Sequence, residues 1–196
     1  MKIVAVLGSP RLNGNSVFLA ERFLETARNL GSEIQSFALN NLTYRGCQAC
    51  RACKKSSETC ILKDDLTEVL NAVKEADVIV LASPVYFGDV SGQMKLFIDR
   101  TYCFLTPDFH RNPEMSSRLL PGKIGVFIQT QGLPDAMFTD VFPRYQWVTK
   151  LIGIDELHLI RGCNLAKPGD ILKQEDVLKC TDELAASLIS RSPTQG

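Results

Sequence analysis

Four of the chain's seven cysteines lie within the segment GCQACRACKKSSETC (46–60). Cys47, Cys50, Cys53 and Cys60 are spaced as C-x2-C-x2-C-x6-C. Closely spaced thiolates with N–H donors between them are typical of iron–sulfur sites, whereas zinc sites usually pair two cysteine knuckles across a longer gap. We interpret the spacing as one self-contained [4Fe–4S] site. A zinc site, a cluster-free relict, a reactive dithiol and a disulfide stay open as alternatives.

The segment GSPRLNGNS (8–16) is predicted to bind a phosphate group. It leads from a short apolar run into a helical pattern, and the first turn of a helix presents unpaired N–H groups to an anion. Ser16 is predicted to cap that helix, and Ser9, Arg11 and Asn15 add a hydroxyl, a charge and an amide. The spacing matches neither a nucleoside-triphosphate loop nor G-x-G-x-x-G, so a monophosphate is expected. The alternative is a turn in which Gly, Pro and Asn only break secondary structure.

Five apolar runs alternate with stretches of helical period, which predicts an α/β protein. The predicted strands are 2–8, 33–39, 77–83, 123–130 and 156–162. The predicted helices are 16–31, 64–76, 92–105, 135–152 and 174–190, the fourth kinked or divided by Pro143. Five such units with right-handed crossovers favour a flavodoxin-like, doubly wound, five-stranded parallel sheet of order 2-1-3-4-5. The cysteine-rich loop follows strand two, and 1–196 is expected to form a single domain.

Two more loops reach the edge of this sheet at which ligands bind, beyond the carboxyl ends of the strands. The loop after strand three, SPVYFGDVSG (83–92), carries Tyr86 and Phe87, which could flank a flat ring. The loop after strand four could contribute Thr130, Gln131 and Gly132. Three loops around one phosphate and one planar group suit flavin mononucleotide, FMN. Packing of the two aromatic side chains against the core is the simpler alternative.

GSPRLNGNS followed by DVIVLASPVYFGDVSGQMKLFIDR (77–100) resembles the NADPH-dependent FMN reductase family of the flavodoxin-like superfamily. With CQACRACKKSSETC between them, the chain resembles the iron–sulfur flavoprotein branch of that family over about its first two thirds. The resemblance implies that all four clustered cysteines ligate the metal centre. It implies phosphate contacts from Ser9, Arg11, Asn15 and Ser16, and contacts to the isoalloxazine ring from Pro84, Val85, Tyr86, Phe87 and Gly88.

Composition narrows the choice of partners. Acidic and basic residues balance at 22 each, so no nucleic-acid partner is expected. The N-terminal apolar run is too short for a signal sequence or a membrane span, which predicts a cytoplasmic protein without a membrane partner.

The remaining cysteines, Cys103, Cys163 and Cys180, are interpreted as small buried hydrophobic residues, and Asp99-Arg100 as a structural ion pair. The stretch 106–121 is an insertion that could be a lid or an interface arm.

The leading functional hypothesis is an electron-transfer oxidoreductase that uses FMN and a [4Fe–4S] cluster. The resemblance implies a ferredoxin-like donor, a small acceptor such as dioxygen, peroxide or a quinone, and a homodimer or higher homo-oligomer. The alternatives are an NAD(P)H-dependent FMN or quinone reductase without a cluster, and a zinc-stabilised FMN-binding module. No Ser–His–Asp set or paired-carboxylate site is evident, so no catalytic residue is assigned.

Overall fold

The computed structural model describes residues 1–111 and 116–191. Its centre is a sheet whose five parallel strands run in the order β2-β1-β3-β5-β6, with β4 paired to β3 alone. The strands are β1 (Lys2–Leu7), β2 (Glu33–Ala38), β3 (Val78–Tyr86), β4 (Asp89–Val90), β5 (Lys123–Thr130) and β6 (Ile154–Gly162). The predicted flavodoxin-like parallel sheet is therefore confirmed, and the order of its parallel strands is the predicted one.

Helices cover both faces of the sheet, which is why its three central strands, β1, β3 and β5, are mostly apolar and buried. The helices are α1 (Asn15–Asn29), α2 (Leu66–Glu75), α3 (Gly92–Arg100), α4 (Val141–Leu151) and α5 (Glu175–Ser190). On β1, Ile3 and Ala5 pack into the core under α1 and α5, whereas Val4 and Val6 pack under α2, α3 and α4. The alternation follows from the two-residue period of a strand.

The prediction of five strands is wrong, because a sixth strand, β4, forms an antiparallel hairpin with the end of β3. Val85 pairs with Val90 and Tyr86 with Asp89, so Phe87 and Gly88 form a two-residue turn. Both turn residues have positive φ, 52° and 83°, as the turn that suits the twist of a hairpin requires. The loop after the third parallel strand is thereby a tight β-hairpin.

All five helices are somewhat shorter than predicted, and α3 and α4 differ most from the prediction. α4 begins at Val141, so Pro143 lies in its first turn, where its missing N–H costs nothing, and it neither kinks nor divides the helix. α3 ends at Arg100 and continues as a 3-10 turn over Thr101–Phe104. Part of the predicted insertion 106–121, namely 112–115, lies outside the described residues. None of the described helices has the length and apolar character needed to cross a membrane.

Candidate functional site

A cavity of about 80 Å³ lies at the carboxyl ends of β1, β3 and β5, where the strand order reverses. Ten of the twelve predicted cofactor residues line it: Ser9, Arg11, Asn15, Ser16, Pro84, Val85, Tyr86, Thr130, Gln131 and Gly132. Phe87 and Gly88 do not. The three loops that sequence reasoning selected are therefore adjacent in space, while their contacts with a cofactor stay a prediction.

The first turn of α1 closes one end of this cavity. Gly14 caps the helix in an extended conformation, and Ser16 lies inside the first turn, so the prediction of Ser16 as the cap is wrong. The Ser16 side chain is thereby turned inward: Ser16 is 1% exposed, and its Oγ has no hydrogen-bond partner among the described residues. A buried, unpartnered hydroxyl is costly unless a ligand pairs with it.

Close packing of the loop explains why Gly14 is glycine. A Cβ there would lie 2.7 Å from Ser9 Oγ and 3.0 Å from the Arg11 carbonyl oxygen. Ser9 Oγ in turn donates to that carbonyl at 3.0 Å and accepts from the Arg11 N–H at 3.1 Å. The loop is thus preorganised around an open helix N-terminus, which is a favourable place for a phosphate.

Positive charge lies at the mouth of the cavity. The Arg11 side chain is exposed and forms no ion pair within the described part of the chain. Lys167 enters from the loop after β6, where its carbonyl accepts a hydrogen bond from Asn15 Nδ2 at 2.9 Å. Asn15 Oδ1 accepts from the Ile171 N–H at 3.3 Å, so the Asn15 amide is occupied in tethering this loop. A phosphate contact from Asn15 would then come from its backbone N–H.

Sequence reasoning missed the loop after β6, which brings Leu165, Ala166, Lys167 and Pro168 to the cavity. The available signal was its position: it follows the last strand and therefore lies at the same edge of the sheet. The Leu165 N–H donates to the Gln131 carbonyl at 3.0 Å, and this bond joins the loop after β6 to the loop after β5.

The Gln131 side chain organises the loop after β5. Its Nε2 donates to the carbonyls of Pro134 at 2.7 Å and Met137 at 3.0 Å. Its Oε1 accepts from Gln129 Nε2 at 2.9 Å and Arg161 Nη2 at 3.1 Å. With both ends of its amide engaged, Gln131 shapes the wall of the cavity, and its side chain has little capacity left for a ligand.

The β3–β4 hairpin forms the opposite wall and is fixed to α4. Asp89 accepts a hydrogen bond from the Tyr145 hydroxyl at 2.7 Å and pairs with Arg144 at 3.0 Å. Burial opposes ionisation of Asp89, but these bonds, with that from the Val90 N–H, outweigh it and lower the pKa of Asp89. The hairpin holds Tyr86 at the cavity and leaves Phe87 fully exposed at its tip.

The four clustered thiols differ in exposure. Cys47 and Cys50 are exposed, Cys60 is partly buried and Cys53 is buried. No group of three or more His, Cys, Asp or Glu side chains forms a metal-binding arrangement within 1–111 and 116–191. The four thiols therefore do not converge on one point in the described structure, and ligation of one metal centre requires some of them to move.

Cations surround the buried half of the cysteine loop. Lys54 Nζ donates to the carbonyls of Tyr102 and Leu105, both at 2.6 Å. Arg118 donates to the Cys53 carbonyl at 2.9 Å and to the Cys103 carbonyl at 2.7 Å. These bonds use main-chain carbonyls, and neither positive charge has a carboxylate partner within residues 1–111 and 116–191. Such surroundings favour an anionic occupant, as a cluster held by four thiolates is.

The backbone between the first three cysteines also suits a cluster. Ala49 and Arg51 both have left-handed φ, 50° and 57°, which is uncommon for residues other than glycine. Left-handed residues turn successive N–H groups to one side and create the concavities found at many Fe–S sites. The donor set, the charges and the backbone of this loop therefore fit a cluster, although its thiols do not converge in the described structure.

The other three cysteines differ from one another, so their interpretation as a buried set is wrong. Cys103 is buried, Cys163 is partly buried and Cys180 is exposed. Burial, together with the nearby Cys60 and Cys53, raises the pKa of the Cys103 thiol to about 11. Cys103 is thus a neutral thiol beside the cysteine loop, and it is not part of the predicted ligand set.

The sequence of this chain is similar to those of known flavoproteins. Residues 1–149 match the sequence model of the NADPH-dependent FMN reductase family. An iron–sulfur flavoprotein of Methanocaldococcus jannaschii is 40% identical over 101 residues, 52% of this chain and 52% of that protein. The matched region of this chain spans about half the length of three of these curated iron–sulfur flavoproteins, 52%, 45% and 49%. It spans 62–63% of three others.

Solved structures share the fold over nearly the whole chain. An FMN-dependent NADH-azoreductase from Bacillus anthracis, in complex with FMN, superposes with a TM-score of 0.74 at 18% identity, covering 96% of this chain and 100% of that one. An NAD(P)H:quinone oxidoreductase from Methanothermobacter marburgensis superposes with a TM-score of 0.75 at 15% identity, covering 96% of each chain. At these identities the likeness shows the fold alone.

Proposed function

Since the chain belongs to the NADPH-dependent FMN reductase family, we propose that it is an FMN-dependent oxidoreductase whose cysteine loop carries a [4Fe–4S] cluster. The observation that carries the flavin assignment is the buried Ser16 hydroxyl, unpartnered at the N-terminus of α1 and lining the cavity. The curated iron–sulfur flavoproteins that the chain resembles support the cluster.

FMN is proposed to bind with its phosphate against the first turn of α1. Ser16 Oγ and the N–H groups of Asn15 and Ser16 would donate to the phosphate, and Arg11 would add a positive charge at its open side. The β3–β4 hairpin and the loop after β5 would flank the ring system and limit the access of water to it. Bound FMN supplies exchange of two electrons, together or singly.

Cys47, Cys50, Cys53 and Cys60 are proposed to hold the cluster. A bound cluster supplies one-electron exchange. Lys54 and Arg118 would offset its negative charge from the buried side of the loop, where they lie without carboxylate partners among the described residues. Because β2 neighbours β1, the loop that leaves β2 lies roughly 5–10 Å sideways from the loop 8–16 that leaves β1.

We propose a ferredoxin-like donor of single electrons and a small acceptor such as dioxygen, peroxide or a quinone. Two cofactors that carry one and two electrons suit this coupling. A homodimer or larger homo-oligomer and a cytoplasmic location belong to the same proposal. The second candidate is an NAD(P)H-dependent FMN or quinone reductase without a cluster. The exposure of Cys47 and Cys50, away from any metal-binding arrangement in the described residues, favours that candidate.

The choice of electron donor separates the two candidates. Protein purified without oxygen, with its iron verified, is mixed with reduced ferredoxin or with NADPH while the visible absorption of the flavin is recorded. We expect reduced ferredoxin to bleach the flavin of the iron-containing protein faster than NADPH does. Rapid bleaching by NADPH of iron-free protein, with no response to ferredoxin when the cluster is intact, would contradict the proposal.

A further inference from the structure

Arg100, at the end of α3, is a buried cation that contacts both ends of the cysteine loop. It is 1% exposed. Its Nη1 donates to the Arg45 carbonyl at 2.8 Å and to Asp64 Oδ2 at 2.7 Å, and its Nη2 donates to Asp64 Oδ1 at 3.0 Å. Arg45 lies two residues before Cys47, and Asp64 lies four residues after Cys60. One guanidinium therefore joins the segment that enters the loop to the segment that leaves it.

The two ends of the loop are also bonded to each other. Asp64 Oδ2 accepts from the Arg45 N–H at 3.2 Å. Asp65 Oδ2 accepts from the Thr43 N–H at 2.6 Å, and the Asp65 N–H donates to the Thr43 carbonyl at 3.3 Å. Closing a loop costs conformational entropy whatever it binds. The hydrogen bonds between the two ends of the loop offset this loss of entropy without any ligand.

The entering end of the loop packs along α3 as well. The Tyr44 hydroxyl donates to the Gln93 carbonyl at 3.1 Å. Gly46 lies so close to the helix that a Cβ would be 2.6 Å from a methyl carbon of Leu96. At its other end, α3 is tied to the phosphate loop, because Ser91 Oγ caps the helix and donates to the Gly8 carbonyl at 2.6 Å. α3 thus spans from the candidate flavin site to the cysteine loop.

We propose that Arg100 and Asp64 form a clasp that closes the cysteine loop before any cluster is present and fixes Cys60 relative to α3. The Cys60 thiol lies close enough to the Arg100 guanidinium to interact with it electrostatically. Arg100 is thus a positioning residue: it holds together the two ends of the loop, between which all four cysteines lie. The positioning of the cysteines for a cluster rests on the proposed function. The closure of the loop by Arg100 and Asp64 does not depend on it.

Four variants test the clasp. Asp64→Asn weakens the ion pair but keeps the bond from Arg100 to the Arg45 carbonyl. Arg100→Gln removes the cation, and Arg100→Lys keeps the charge without the planar fork that reaches both partners. The matched control is Asp99→Asn, which breaks the exposed Lys95–Asp99 pair on the same helix.

Loop closure is measured first on iron-free, FMN-loaded protein, by the rate of tryptic cleavage after Arg51, Lys54 and Lys55. Cleavage reports the population of opened loop when opening is fast. We expect cleavage to quicken at least about tenfold in Asp64→Asn and Arg100→Gln, by less in Arg100→Lys, and to stay at the wild-type rate in Asp99→Asn. Equal cleavage of all variants would overturn the clasp.

Iron content and reduction potential are measured next on reconstituted protein. Asp64→Asn is expected to bind less than half of the wild-type iron and to keep its FMN. The fraction that does load should have a higher midpoint potential, because a negative charge beside Arg100 has been removed. The control Asp99→Asn should keep the wild-type potential. Wild-type iron and potential in Asp64→Asn would overturn the positioning role. Wild-type protein that binds no iron, with faster cleavage in Asp64→Asn, would overturn the cluster proposal and leave the clasp standing.

Discussion

Replacing Cys50 with serine is expected to abolish iron binding, from about four irons per chain to none, while FMN stays bound. Cys50 is the middle of the three cysteines at three-residue steps, and a serine hydroxyl is not deprotonated as a ligand must be at neutral pH. Cys50 is exposed and lies outside the cavity at the N-terminus of α1, so its loss creates neither a core void nor a gap in the loop 8–16. Iron, acid-labile sulfide and FMN are measured on one anaerobic sample.

The control for this variant is Cys180→Ser, which changes an exposed thiol on α5 outside the cysteine loop. It should contain as much iron and FMN as the wild type. Loss of FMN from Cys50→Ser would mean that the two sites depend on each other structurally. Retention of all the iron would contradict the assignment of Cys50 as a ligand.

Replacing Ser16 with alanine is expected to weaken FMN binding about 10- to 100-fold, because a hydrogen bond to a charged group contributes about 1.5–3 kcal/mol. The same change should leave the free energy of unfolding of the FMN-free protein unchanged or raise it slightly, since it removes a buried hydroxyl that has no partner in the described structure. Titration of the FMN-free protein with FMN gives the first quantity, and chemical denaturation gives the second.

Ser32 supplies a matched control, because its Oγ is likewise buried without a described partner, but it lies past the opposite end of α1. Ser32→Ala should resemble Ser16→Ala in stability and the wild type in FMN affinity. If both variants bind FMN as the wild type does, the phosphate does not lie at the first turn of α1.

Local sequence patterns predicted the features that depend on local structure. The apolar runs placed the parallel strands to within a few residues, and the topology of a parallel sheet then brought the loops at 8–16, 83–92 and 130–132 together. The β3–β4 hairpin was missed, because its turn places Phe87 at a φ of 52°, and aromatic residues do not signal a left-handed conformation.

Contacts between distant segments could not be predicted. Asn15 fixes the loop after β6 through a bond to Lys167, 152 residues away. The expected ion pair between Asp99 and Arg100 is wrong, because adjacent residues on a helix point in different directions. Asp99 instead pairs with Lys95 one turn earlier, and Arg100 pairs with Asp64. No spacing rule relates Arg100 to the cysteine motif, so only the folded chain reveals the clasp.

The most direct test of the central claim is a single anaerobic purification followed by iron, sulfide, zinc and FMN assays and an absorption spectrum of the same sample. We predict about four irons and four sulfides per FMN, with broad absorption beneath the flavin bands. Stoichiometric FMN without iron would contradict the two-cofactor account and identify the chain as a flavin reductase without a cluster. Stoichiometric zinc would contradict it in a different way, by making the cysteine loop a structural zinc site.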